Sequence, residues 1–122
     1  MSVDDYHDLI VLAAETNGIR PELLRALIIH ESKGDPKAVG DNGLAHGLCQ
    51  MHPAACATVG ANWDDMFDPV KAIAAGAAYL AFCIKHMGDE GWGLAAYNQG
   101  PTIIGRALAY ADAVEALCTP SP

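Results

Sequence analysis

Glu31 closes a run of residues, Pro21 to Gly34, whose spacing gives its carboxylate a chemical meaning. Pro21 has the fixed φ of a first helical residue and Gly34 is a natural residue just past a helix end, so the run predicts one bounded helix. Leu24, Leu27 and Ile28 form its apolar stripe, and two turns beyond Leu24 comes Glu31, on the face those residues bury. Partial burial disfavours the charged form of a carboxyl, and the unpaired carbonyls of a helix C-terminus act in the same direction. A carboxyl held protonated near neutral pH can hand a proton to a leaving oxygen, the general-acid task of a glycosidase carboxylate. The same spacing also fits a solvated glutamate at a helix end, with the stripe stopping at Ile28.

Two other groupings have ligand-type residues. His46, Cys49, His52 and Cys56 fall at intervals of three, three and four, which on one helix would gather two imidazoles and two sulfurs, a set zinc accepts. Pro53 interrupts that helix and the spacing matches no familiar finger, so no metal is expected. His30-Glu31 begins like a metalloprotease helix, but that motif needs a second His four residues after the first, and Gly34 stands there.

The elements that would position Glu31 follow from periodicity. Val3, Tyr6, Ile10 and Ala13 predict a first amphipathic helix over 3–17, stopped by Gly18. After the Glu31 helix, Asp35 to His46 has little periodicity and predicts a loop, long enough in a small domain to suggest function. Gly47 to Pro53 is short and mixed, with Gln50 its polar member, and Pro53 starts a helix ending near Gly60. Asn62 to Phe67 predicts a turn. Asp68-Pro69 is a strong helix start, and Val70, Ile73, Ala77, Leu80, Ile84 and Met87 carry that helix to Gly88 as the expected core helix. A short helix over 91–97 is expected to break at Asn98-Gln99-Gly100-Pro101, and a last one runs from Ile103 to Cys118, with Ile104, Leu108, Ala111, Val114 and Cys118 on one stripe.

With 122 residues the chain fits one domain, 1–122, and 52% hydrophobic residues with only 7% aromatic favour an all-α fold of closely packed helices. A net charge of −8 with only 7 basic residues excludes phosphate-backbone recognition, so no nucleic acid is expected, and no electrostatic hold on anionic membranes either. No run reaches the length of a spanning helix and the first residues lack the pattern of a signal peptide, so neither membrane insertion nor general export is expected of the chain as written. Cys49, Cys56, Cys83 and Cys118 allow three pairings; buried free thiols acting as small hydrophobes are expected instead.

Three separated pieces, Glu31-Ser32, Gly47-Leu48-Cys49-Gln50 and Ala96-Tyr97-Asn98-Gln99-Gly100-Pro101, together resemble the Slt-type lytic transglycosylases, relatives of goose-type lysozyme. The resemblance covers about Ile19 to Gly105. It implies a lysozyme-like helical domain with a substrate groove, no cofactor, and peptidoglycan glycan strands as the partner. Glu31 would be the single acid and base at the bond between N-acetylmuramic acid and N-acetylglucosamine. Ser32, Gln50, Tyr97 and Asn98 would border the sugar, with Tyr97 positioned close to the acid and Asn98 beginning the turn that holds it. Each also has a structural alternative: Gln50 satisfying a loop, Tyr97 filling the core with its hydroxyl on backbone, Asn98 only capping.

A glycosidase with two carboxylates needs its second one about 5 to 10 Å from the first, and none lies in a matched motif. In the resembled family the substrate replaces it: the 2-acetamido oxygen attacks the anomeric carbon and the 6-hydroxyl then displaces it, leaving a 1,6-anhydro end. Departures are Leu44 where glycine often precedes the motif, Cys49 where methionine is usual, and His52 where a second methionine often precedes the proline. Asp35, Asp41, Asp64 and Asp65 keep a lysozyme-like hydrolysis open, with one of them positioning water, and an inactive glycan-binding or structural virion domain is the further alternative. The absent export signal, small size and acidity suggest a monomeric bacteriophage lysis or virion enzyme, brought to the wall in the periplasm by other proteins.

Overall fold

The chain enters the fold through a reciprocal cap: Ser2 Oγ accepts from the Asp4 N–H at 3.2 Å while the Asp5 carboxylate accepts from the Ser2 N–H at 2.9 Å. This starts a 3-10 turn, Val3–Tyr6, that leads into α1, His7–Thr16. The computed structural model describes residues 2–99 and 105–118. Val3, Tyr6, Ile10 and Ala14 are buried, so Ala14 rather than the expected Ala13 completes the inner stripe.

The second helix, α2, is Pro21–Ser32, and Leu23, Leu24, Ala26, Leu27 and Ile28 are all wholly buried. Lys33 ends it in the left-handed conformation at φ 56°, one residue before the expected stop. Gly34 is required for a different reason: a Cβ there would sit 2.7 Å from the Val3 backbone nitrogen, against which this corner is pressed.

The stretch expected to be a loop contains a small hairpin. Strand β1, Val39–Gly40, pairs antiparallel with β2, Ala45–His46, with Val39 opposite His46 and Gly40 opposite Ala45. Asp41, Asn42 and Gly43 turn it with positive φ at all three, a type of chain reversal that Asn-Gly favours. Trp63 pins the far side, its indole N–H shared between the carbonyls of Leu44 and Met51 at 3.1 Å each.

Helix α3, Pro53–Val59, is followed by α4, Pro69–Met87, whose first turn is capped by Asp68 accepting from the Val70 and Lys71 N–H groups at 2.9 and 3.3 Å. Ile73, Gly76, Ala77, Leu80 and Cys83 carry its buried face, whereas Val70, expected on that stripe, is 57% exposed. By length and composition α4 is apolar enough to cross a membrane, which the run-length reading did not anticipate; here it is the core helix, packed against α1 and α3 and against α5, Glu90–Gln99. Gly93 of α5 lies so close to α4 that a Cβ would be 2.7 Å from Ile84 Cα. Helix α6, Gly105–Glu115, rests on α5 and α2.

One sequence expectation changes here. Asn98 and Gln99 continue α5 instead of opening a turn. That expected turn's Gly100 and Pro101, and the expected helix start at Ile103 and Ile104, lie outside the described residues. The four cysteines are free thiols, Cys49, Cys56 and Cys83 buried and Cys118 half-buried.

A candidate active-site cleft at Glu31

Glu31 projects from the last turn of α2 into a polar cleft of about 160 Å³ that it shares with Asp41, Ala45, Gln50, His52, Tyr97 and Asn98. Its side chain is 15% exposed, as the stripe of buried Leu24, Leu27 and Ile28 requires. Burial is the dominant effect on the carboxyl and lifts its pKa to about 7; a hydrogen bond from Tyr110 and the nearby His52 pull the other way, and Asp41 adds to the rise.

The Tyr110 hydroxyl, brought in by α6, donates to Glu31 Oε2 and is itself buried. His30 meets the Tyr110 ring edge-on, with centroids 4.9 Å apart, and so holds it from the side. Tyr110 was not among the residues singled out from sequence. A signal existed: it adjoins the buried Ala111 and lies one turn before Val114, and a buried tyrosine hydroxyl needs a partner. Since its hydrogen bond favours the ionised carboxyl, Tyr110→Phe is expected to move the Glu31 titration to higher pH, measurable by carboxyl ¹³C chemical shifts across pH 4–10.

Gln50 adopts φ 50° and folds its side chain back, so that Nε2 donates to the carbonyls of Ala38 and Gly47 at 3.0 Å each. Its Oε1 lies against Gly40, where a Cβ would come within 2.5 Å. Gln50 therefore both ties the loop together and borders the cleft. Tyr97 borders it too, but its hydroxyl donates to the Cys49 carbonyl at 2.6 Å, which anchors the turn below Glu31. Asn98 is exposed on α5 at the cleft edge. The buried Ser32 hydroxyl donates to the Ile28 carbonyl at 3.1 Å and accepts from the Gly34 N–H at 3.2 Å, the geometry of a helix end.

Of the four aspartates open to a water-positioning role, only Asp41 lines this cleft, and there it pairs with His52, Nε2 to Oδ2 at 2.6 Å. Asp35 instead accepts from the Lys37 N–H, Asp64 lies in the Asn62-capped turn, and Asp65 faces Lys71 at 3.6 Å. The ligand-type residues between His46 and Cys56 are scattered. His46 is sandwiched between Trp63 and Phe67, at 4.1 and 4.5 Å, Cys49 is packed against Gly76, and His52 faces Asp41. Among the described residues no three His, Cys, Asp or Glu side chains gather as a metal site.

Residues 8–117 match the family described as the Transglycosylase SLT domain. The chain is similar to peptidoglycan transglycosylase gp16 of Escherichia phage T7, 36% identical over 107 residues, which cover 83% of this chain and 8% of that protein. It is also 36% identical over 102 residues to membrane-bound lytic murein transglycosylase F of Maricaulis maris, covering 78% of this chain and 22% of the relative. The fold is similar to that of the lytic transglycosylase Slt of Pseudomonas aeruginosa, with a TM-score of 0.76 and 21% identity over 91% of this chain and 23% of that one. The chain thus spans less than a quarter of the length of each of these proteins.

Proposed function

Because the chain belongs to the Transglycosylase SLT domain family, we propose that it is a lytic transglycosylase of peptidoglycan, cutting the β-1,4 bond between N-acetylmuramic acid and N-acetylglucosamine with Glu31 as its single acid and base. The observation that carries this reading is a carboxyl buried at the side of a polar cleft, with its pKa pushed up to about 7, as a general acid at neutral pH requires. Glu31 gives its proton to the leaving glycosidic oxygen while the 2-acetamido oxygen bonds to the anomeric carbon. The 6-hydroxyl of the same sugar then displaces the acetamido oxygen, and the Glu31 carboxylate takes the hydroxyl proton.

Tyr110 fits this cycle because its hydroxyl donates to the carboxylate that Glu31 becomes between the two steps. In the proposed arrangement the Oε1 of Gln50 and the side chain of Asn98 meet the sugar, Tyr97 supports the turn that carries Cys49 and Gln50, and Ser32 fixes the helix end behind Glu31. The protein acts as a monomer on glycan strands of the bacterial wall. The similarity to a peptidoglycan transglycosylase of a phage supports delivery there by a phage.

The test is mass spectrometry of fragments released from purified peptidoglycan. Anhydro ends, about 18 Da lighter than hydrated reducing ends, are the expected product. No fragments at all would leave a glycan-binding or structural domain. Since the acid must be protonated in the free enzyme, kcat/KM is expected to fall tenfold per pH unit above about 7, read from initial rates of wall-suspension clearing. Clearing undiminished at pH 9 would remove Glu31 from the acid role.

A further inference from the structure

We propose that His52, held by Asp41, is a second proton acceptor in this cleft that activates water, so that the protein releases hydrated as well as anhydro ends; this rests on the peptidoglycan-cleaving reading above. The two side chains come from separate pieces of chain, the hairpin turn and the residue before α3, and meet at 2.6 Å in the cleft that holds Glu31. Asp41 is placed there by a left-handed backbone at φ 50°, followed by Asn42 at φ 55°, a conformation that Asp and Asn adopt more readily than other side-chain-bearing residues.

The pair is open to solvent on one side and to the reacting carboxyl on the other. The side chains of His52 and Asp41 are 39% and 70% exposed, so water reaches them, and both line the cleft that holds Glu31. A carboxylate on Nε2 fixes the tautomer in which Nε2 carries the proton, and Nδ1 then keeps the lone pair. This is the arrangement of a carboxylate-oriented general base. Transglycosylation needs water kept away from the anomeric carbon, whereas this pair stands exposed to water in the cleft of the reacting carboxyl.

The step balances without a co-reactant. After Glu31 has protonated the leaving oxygen and the acetamido oxygen has bonded to the anomeric carbon, a water oxygen bonds to that carbon and the bond to the acetamido oxygen breaks. The water proton passes to Nδ1, the imidazolium is stabilised by Asp41, and solvent returns both His52 and Glu31 to their starting protonation.

Purified peptidoglycan is digested to equal extent with wild type, His52→Gln and Asp41→Asn, and hydrated and anhydro ends are counted by mass spectrometry. The ratio of hydrated to anhydro ends is expected to fall by about tenfold or more in both variants, a change of product that a structural defect would not bring about. An unchanged ratio, or wild type yielding anhydro ends alone, would overturn the inference while leaving the transglycosylase reading intact. No fragments from wild type would overturn both. Should His52→Gln fail to fold, the exposed Asp41→Asn position decides.

Discussion

Glu31→Gln is expected to abolish glycan release and at the same time to make the protein more stable above neutral pH. The folded state raises the carboxyl pKa from 4.5 to about 7, so it prefers the protonated form. A group with a raised pKa contributes its full stability below the unfolded value and loses it as pH climbs through the folded value. The window is therefore from about pH 4.5 to about pH 7, and at 1.36 kcal/mol per pH unit the loss by pH 8 is about 3 kcal/mol. Glutamine has the same shape, carries no charge, and still offers an oxygen to the Tyr110 hydroxyl. The variant should match wild type near pH 4, exceed it by up to about 3 kcal/mol at pH 8, and show a flatter pH dependence in denaturant unfolding. It has no proton to give, so fragment release should fall by about 10³-fold or more. Near-normal release from a well-folded variant would move the acid elsewhere, and lower stability at pH 8 would contradict the burial that sets its titration.

Glu31 was legible in the sequence because the information is local: Leu24, Leu27, Ile28 and Glu31 share a face through helix geometry alone, and the structure buries that face. The same holds for α4, where Asp68-Pro69 and Gly88 mark both ends. What pairs with Glu31 was not local. Tyr110 is 79 residues away, and no period or motif spacing connects two helices that meet only after the core has formed. The pairing of Asp41 with His52 was hidden for another reason. The hairpin between them has strands of two residues, too short for alternation to register, and its one sequence signal, Asn42-Gly43, lies in a stretch that otherwise reads as a loop. Gln50 and Tyr97 were singled out, but their polar atoms mostly hold the turn around Gly47 to Met51, which residue type alone does not reveal.

That turn makes Gly47→Ala a strongly damaging substitution despite its small size. Gly47 sits at φ 79°, and a Cβ added there would lie 1.8 Å from the Met66 carbonyl oxygen and 2.9 Å from its carbon. The left-handed backbone alone costs an alanine about 1 kcal/mol. The clash adds more, because the atoms in the way are backbone and cannot rotate aside. Moving them disturbs the Gly47 N–H bond to the Ala38 carbonyl at 2.8 Å, the Gln50 bond to the Gly47 carbonyl, and the buried Met66 next to the His46–Trp63–Phe67 stack. A loss of about 3 kcal/mol or more is expected, a large part of the roughly 5–15 kcal/mol that holds a domain together. Gly43→Ala separates the two contributions: it too has a positive φ, 94°, but nothing lies within 4 Å of an added Cβ, so only the backbone cost of about 1 kcal/mol applies. Denaturant midpoints of the two variants measured side by side should therefore differ by the cost of the clash. Equal midpoints would mean that the loop bearing Gln50 does not press on the Met66 carbonyl.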